Sequence, residues 1–159
     1  MADSVENAPG REPRLFFPAL APFYDKVREL SWLLIRLTVG GMLLVHGIGK
    51  VTGPGVERFS AGLANRGIPG DVVAGSVVFF NETVGAVLII LGLFTRPLAA
   101  SIAIEFAVIT FVAHWGNGFS WSNPKGGWEY PFLWGLLYFA VALRGGGPYS
   151  LDRKIGREV

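Results

Sequence analysis

The chain predicts an all-α fold, an integral membrane antiparallel four-helix bundle. Three observations carry this. Its 159 residues are 51% hydrophobic and only 16% charged, and mean hydropathy is +0.44, whereas a soluble domain carries about 25% charged residues. The apolar residues come in blocks about as long as a bilayer is thick. One tight turn and two longer polar or Gly-rich links separate the blocks, and the length suits one domain.

The elements follow in order. Residues 1–30 predict a flexible and interfacial N-terminal segment. Met1–Arg14 is polar and reads as disordered. Leu15–Tyr24 is aromatic and broken by prolines, which suits a headgroup layer, and Asp25–Leu30 reads as a charged helical lead-in. No cleavable signal peptide is visible, because acids and four prolines precede any apolar run. Residues 31–144 predict a four-span membrane domain. Span one is Ser31–Lys50, span two Val72–Leu93, and span three Pro97–Trp115, with Pro97 suited to a helix start. Span four, Trp128–Leu143, is about 24 Å long at 1.5 Å per residue, short for a bilayer. Phe94–Arg96 is a tight turn that makes spans two and three antiparallel neighbours. In the first outer loop, Val56, Phe59, Ser60 and Leu63 recur at helical spacing before Gly67, predicting a short surface helix. Gly116–Gly127 has loop composition. Residues 145–159 form the C-terminal tail.

Lys and Arg set the orientation. Nine lie on the side of the two termini and of Arg96, against Lys50, Arg58, Arg66 and Lys125 on the other. The imbalance predicts a multi-pass protein of the inner (plasma) membrane with both termini cytoplasmic. The net charge of +2 fits that excess and calls for no nucleic acid. The absence of cysteine excludes disulfides, thiol relays, cysteine-ligated iron–sulfur clusters and covalent c-type haem. Gly40 and Gly47 share a face of span one, and Gly75, Glu82, Gly85 and Gly92 share one of span two, where small residues let helices approach closely.

Ionisable residues inside apolar spans are costly and point to function by default. On span one Arg36, His46 and Lys50 share one stripe with Gly40, Leu43 and Gly47, which must face the bundle interior. Arg36 near the cytoplasmic end is expected to form a structural ion pair with Glu105 of span three. Glu82 stands ten residues into span two, about 15 Å deep and near the midplane. It is read as an interhelical hydrogen-bonding group, as a partner of His46 or Lys50, or as an acid that donates to a ligand carbonyl or relays a proton. His46 and His114 reach a similar depth toward the outer face. They could hold a quinone headgroup; as ligands of a b-type haem they are disfavoured, because each has another explanation. His114, Trp115, Trp121, Trp128 and Glu129 crowd the outer loop, either as an interfacial belt or as the wall of a pocket for a flat ring. The candidates for ligand binding or proton relay are therefore Glu82, His46, Lys50, His114, Trp115, Trp121 and Glu129, around a pocket opening outward and floored by Glu82. No spacing matches a metal motif, and no metal is expected.

Several ordered motifs carry a resemblance: LIRLTVGGMLLVHGIGK (34–50), GIPG (67–70), NETVGAVLIILGLFTRP (81–97) and RGGGPYSLDRKIG (144–156). The chain resembles the DoxX family of small four-helix membrane proteins over roughly residues 31–157. Its recurring elements are Arg36, His46-Gly47, Lys50, Glu82, the Gly92-x-x-Thr95-Arg96 turn and Ser150-Leu151-Asp152. Family members resemble subunits of a thiosulfate:quinone oxidoreductase, and others accompany redox enzymes. The resemblance implies an accessory or anchor subunit near quinone-linked redox chemistry, embedded in the lipid bilayer, with a redox partner protein and with homo-oligomers open. No cofactor is firmly implied beyond a quinone. Two alternatives stand beside this reading: a small transporter acting as an oligomer, and a structural membrane protein without ligand. No complete catalytic set marks the chain as an autonomous enzyme.

Overall fold

The computed structural model describes residues 15–53, 55–67 and 71–158. The expected disorder of Met1–Arg14 lies outside them. The described residues contain helices and turns and no strand. A 3₁₀ turn, Pro18–Leu20, leads into α1 (Ala21–Thr52). It is followed by α2 (Gly55–Ala64), α3 (Asp71–Phe80), α4 (Ala86–Leu91), α5 (Thr95–Val108), α6 (Glu129–Arg144) and the short α7 (Leu151–Ile155). Two π-helical turns extend this set. Asn81–Gly85 joins α3 to α4, and Ile109–His114 prolongs α5.

Among the described residues, three helices are long and apolar enough to cross a membrane: Pro18–Thr52, Val73–Leu91 and Thr95–Asn117. Many of their large apolar side chains are exposed, among them Leu34, Val45, Val73 and Ile104, as a lipid-facing surface would be. The first helix starts ten residues before the expected Ser31, so the boundary expected after residue 30 falls inside it. Pro22 does not prevent this, because it occupies the first turn, where its missing N–H has no intrahelical role. The helix α6 is 16 residues long, about 24 Å. The short helix expected in the first long link is α2.

The buried stripe of α1 is Arg36, Val39, Gly40, Leu43 and Gly47, at the three-to-four spacing of one helix face. This stripe meets span two where glycine permits it. A Cβ on Gly47 would collide with the Glu82 carbonyl, and one on Gly40 would stand 2.7 Å from Ile90. Both glycines thus serve close packing. Ile89 of α4, Ala99 and Ile102 of α5, and Tyr138 and Val141 of α6 complete the core. Tyr138 donates a hydrogen bond to the Val39 carbonyl (2.8 Å), tying α6 to α1.

Spans two and three reverse at Gly92–Phe94. Gly92 ends α4 in the left-handed region (φ 70°), the usual glycine stop. The tail docks on this turn. Arg96, in the first turn of α5, donates to the Ala142, Leu143 and Arg144 carbonyls at the end of α6 (3.2, 2.6 and 3.3 Å). It therefore closes a helix end that would otherwise leave bare acceptors. Trp32 Nε1 donates to the Gly145 carbonyl (2.9 Å). The start of α1, the α4–α5 turn and the C-terminal tail thus share one end of the molecule, here termed the tail end. The loop 115–128 lies at the other.

Candidate functional site

The expected pair between Arg36 and Glu105 is not formed. Arg36 turns toward the tail, where Nη1 donates to the Gly146 carbonyl and Nη2 to the Tyr149 carbonyl, each at 2.7 Å. Glu105 stands farther from that end. It is ten residues past Thr95, as Glu82 is ten residues before Gly92, so the two lie level, about 15 Å from the turn. The Asn81 side-chain amide donates to Glu105 Oε2 (2.9 Å) and exchanges hydrogen bonds with the Ser101 hydroxyl (3.0 and 3.2 Å). The Glu82 and Glu105 carboxyl groups come within hydrogen-bonding reach of each other, and Lys50 Nζ forms an ion pair with Glu82 Oε2. A single chain of contacts therefore runs from Lys50 through Glu82 and Glu105 to Asn81 and Ser101, with Asn81, Glu82 and Glu105 all buried.

The π turn Asn81–Gly85 shapes this cluster. Its wider winding brings the adjacent residues Asn81 and Glu82 closer to one face, and such turns occur often at functional sites. A second π turn, Ile109–His114, ends at the other side of the same cavity.

That cavity encloses about 140 Å³. Glu82, with Leu43 and Tyr138, forms its base, and His46 and Met42 line it from α1. Both α1 residues are exposed, so the mouth runs along α1, toward the surroundings of the helix. One wall is a run of rings: His114 to Trp121 (5.5 Å between centroids), Trp121 to Tyr130 (5.1 Å) and Tyr130 to Trp134 (5.7 Å). Phe106 and Tyr138, stacked at 5.7 Å, also line it. His114 is fixed through Nδ1, 3.0 Å from the Gly126 carbonyl, so its Nε2 is the nitrogen left for a ligand. Trp134 Nε1 is buried with no acceptor among the described residues.

The structure thus brings Glu82, His46, His114 and Trp121 to one cavity and holds Lys50 on Glu82. Trp115 and Glu129 do not line it. Trp115 belongs to a second aromatic group with Phe111 and Trp128 (5.2 and 5.1 Å), which continues to Phe119 and Phe132. Glu129 Oε2 accepts from the Trp121 backbone N–H (3.2 Å) and so braces the loop. The aromatic loop therefore divides between a cavity wall and an exposed cluster. Asn81, Trp134 and Tyr138 were not singled out from sequence; only the buried position of the Asn81 amide, next to Glu82, was a usable signal. Among the described residues no three His, Asp or Glu side chains group as a metal site.

The family model for DoxX matches residues 31–115. The chain belongs to the DoxX family. An uncharacterised protein of Haemophilus influenzae is 32% identical over 131 residues, covering 82% of this chain and 94% of that protein. A protein described as inner membrane protein YphA of Escherichia coli K12 is 27% identical over 136 residues, with the same shares covered. No solved structure matches. In this DoxX chain the recurring elements separate by place. Glu82, His46 and Lys50 surround the cavity or its base. Arg36, Gly92, Thr95, Arg96 and Asp152 build the tail-end lock, where a Cβ on Gly92 would meet Arg36 and Ser150.

Proposed function

We propose that this protein is a four-span subunit of the bacterial inner membrane whose cavity receives a quinone headgroup, and that it serves a redox partner protein as an accessory or anchor. The observation that carries this reading is the cavity itself. Its volume is close to the ~150 Å³ that accommodates one benzene ring in an engineered protein cavity. The aromatic lining suits a flat ring, and Glu82, His46 and His114 supply polar contacts for ring carbonyls. The mouth along the apolar α1 suits a ligand dissolved in the bilayer, with its tail left in lipid. Membership of the DoxX family and the likeness to an inner membrane protein of E. coli support the inner membrane. The excess of Lys and Arg at the tail end supports cytoplasmic termini. In this reading α6 crosses the bilayer upright as the fourth span, packed on α5, and the protein holds and orients the ring while electrons come from the partner.

The test is binding of a short-chain benzoquinone to the detergent-purified protein, read by quenching of tryptophan fluorescence. Saturable quenching is expected, weakened at least tenfold in Trp121→Leu, Glu82→Gln or His114→Ala, a loss of about 1.4 kcal/mol or more. Non-saturable quenching, the same in all variants, sinks the reading.

A further inference from the structure

We infer that this protein pairs with a second copy of itself through a seam of apolar side chains on the outer face of α1, which runs from the bilayer out past the tail end. The seam is Leu20, Phe23, Val27, Leu30, Leu34 and Leu37. The spacing alternates between three and four residues, the pattern of a coiled-coil heptad. Gly41 takes the next place, where a Cβ would meet nothing within 4 Å, and Leu44 and Ile48 keep the phase beyond it. Helix α1 has 32 residues, more than the three to four heptads over which such a repeat argues for a coiled coil.

The molecule does not use this face for its own packing. At 100° per residue the seam lies roughly 150° round α1 from the buried stripe of Arg36 to Gly47. All six seam residues are exposed except Val27, which is half-buried. Met42 and His46 lie roughly 110° from the seam on the opposite flank, so pairing leaves the cavity mouth open.

Apolar groups that face lipid need no partner, so the argument rests on the stretch beyond the bilayer. Arg36, Arg96 and Arg144 gather at the tail end, and charged groups belong at the edge of the hydrocarbon, not inside it. From that level Thr95–Asn117 runs 23 residues, about 34 Å, which already spans a core of ~30 Å. Trp32 is fastened to Gly145 at the same level. From there α1 continues unbroken back to Ala21, which carries Phe23 about 14 Å and Leu20 about 18 Å beyond Trp32. The headgroup layer on each side is only about 5–7 Å deep. Phe23 is nevertheless 58% exposed. The charges of this stretch fall off the seam: Asp25 lies 4.0 Å from Arg28, and Glu29 pairs with Arg144 of its own chain at 3.7 Å. The apolar stripe thus continues in phase where lipid no longer covers it.

A second copy fits the seam because copies inserted in one membrane share orientation and depth. Their α1 helices meet parallel and in register, and each seam residue faces its own counterpart. Lys26, at the edge of the seam, is then placed opposite Ser31 and not opposite another cation. Seam and flanking positions together supply about 18 residues a side, close to the 20–30 of a standard stable interface.

The chain has no cysteine, so single introduced cysteines report the contact. The experiment is mild oxidation of the full-length protein in native membranes. Phe23→Cys, Val27→Cys and Leu30→Cys should each give a disulfide-linked species of twice the chain mass, because facing seam positions come within disulfide reach. Asp25→Cys and Arg28→Cys should stay at the mass of one chain. In mild detergent the wild type should have the mass of two chains, and the double variant Phe23→Asp, Leu30→Asp that of one; if that variant fails to fold, the cysteine series carries the test. A seam position without the two-chain species, an off-seam position that gives as much of it, or a cross-linked species holding another protein in place of the second copy overturns the pairing. So does a wild type with the mass of one chain.

Discussion

Asp152 of the tail caps the helix that begins at Thr95. One carboxylate oxygen accepts from the Phe94 N–H (2.8 Å), the other from the Thr95 N–H (2.9 Å) and hydroxyl (2.7 Å), and the Asp152 N–H returns a bond to the Gly92 carbonyl (2.9 Å). Helix starts expose N–H groups that need acceptors, and this one takes them from 57 residues away. The cap also holds Phe94 at φ 50°, a left-handed conformation uncommon for a bulky side chain. The Ser150-Leu151-Asp152 and Thr95-Arg96 elements are thus two halves of one lock.

Asp152→Ala removes three hydrogen bonds to a buried charge, and Asp152→Asn keeps an acceptor while losing the charge. The expected loss is about 2–3 kcal/mol for Ala and roughly half that for Asn. Thermal unfolding in detergent measures it, and equal melting temperatures for the wild type and Asp152→Ala would remove the cap from the account.

Arg36 is 2% exposed and forks between the Gly146 and Tyr149 carbonyls. Lys offers a point charge that cannot span both acceptors in the same plane. Arg36→Lys should therefore loosen the tail, costing about 1.5–3 kcal/mol, and make residues 145–158 more open to limited proteolysis. A tail cut no faster than in the wild type would count against this role.

The outlines of the helices were legible from apolar block length, the α4–α5 turn from Gly92 and the adjoining charge, and α2 from its spacing. The start of α1 was not, because Pro22 reads as a breaker until it is known to sit in a first turn. Nor was the partner of Arg36, since backbone carbonyls have no residue-type signature. The level placement of Glu82 and Glu105 was available by counting outward from the turn in both directions. Counting each span from its own apolar edge hid it, and so gave Glu105 to Arg36. The division of the aromatic loop into wall and exposed cluster depends on how the loop closes on itself, through bonds such as Trp128 N–H to the Gly118 carbonyl (3.1 Å), which composition does not encode.

The glycines of α1 differ sharply in their surroundings. A Cβ at Gly47 meets the Glu82 carbonyl, whereas at Gly41 or Gly49 it meets nothing within 4 Å. Gly47→Ala should cost about 1–3 kcal/mol by forcing α1 from the π turn. It should also disturb the cavity, because the carbonyl it displaces belongs to Glu82. Gly41→Ala and Gly49→Ala should be neutral or slightly stabilising, since Ala is the better helix former. Melting temperatures of the three single variants decide this, and a Gly47→Ala protein as stable as the other two refutes the close crossing.

Asn81 and Ser101 permit a graded test of the polar cluster. Asn81 is the only side chain among the described residues with a hydrogen bond to Glu105 Oε2, whereas among them the Ser101 hydroxyl is hydrogen-bonded to Asn81 alone. Asn81→Leu keeps the volume and removes the donor, so a buried carboxyl oxygen loses its partner; the expected cost is about 1–3 kcal/mol. Ser101→Ala removes a bond one step away and should cost about 1 kcal/mol or less, because Asn81 can still serve Glu105. The order of the two melting temperatures is the measurement. If Ser101→Ala proves the more damaging, Asn81 does not hold Glu105 in place, and the orientation of Glu105 toward Glu82 must have another cause.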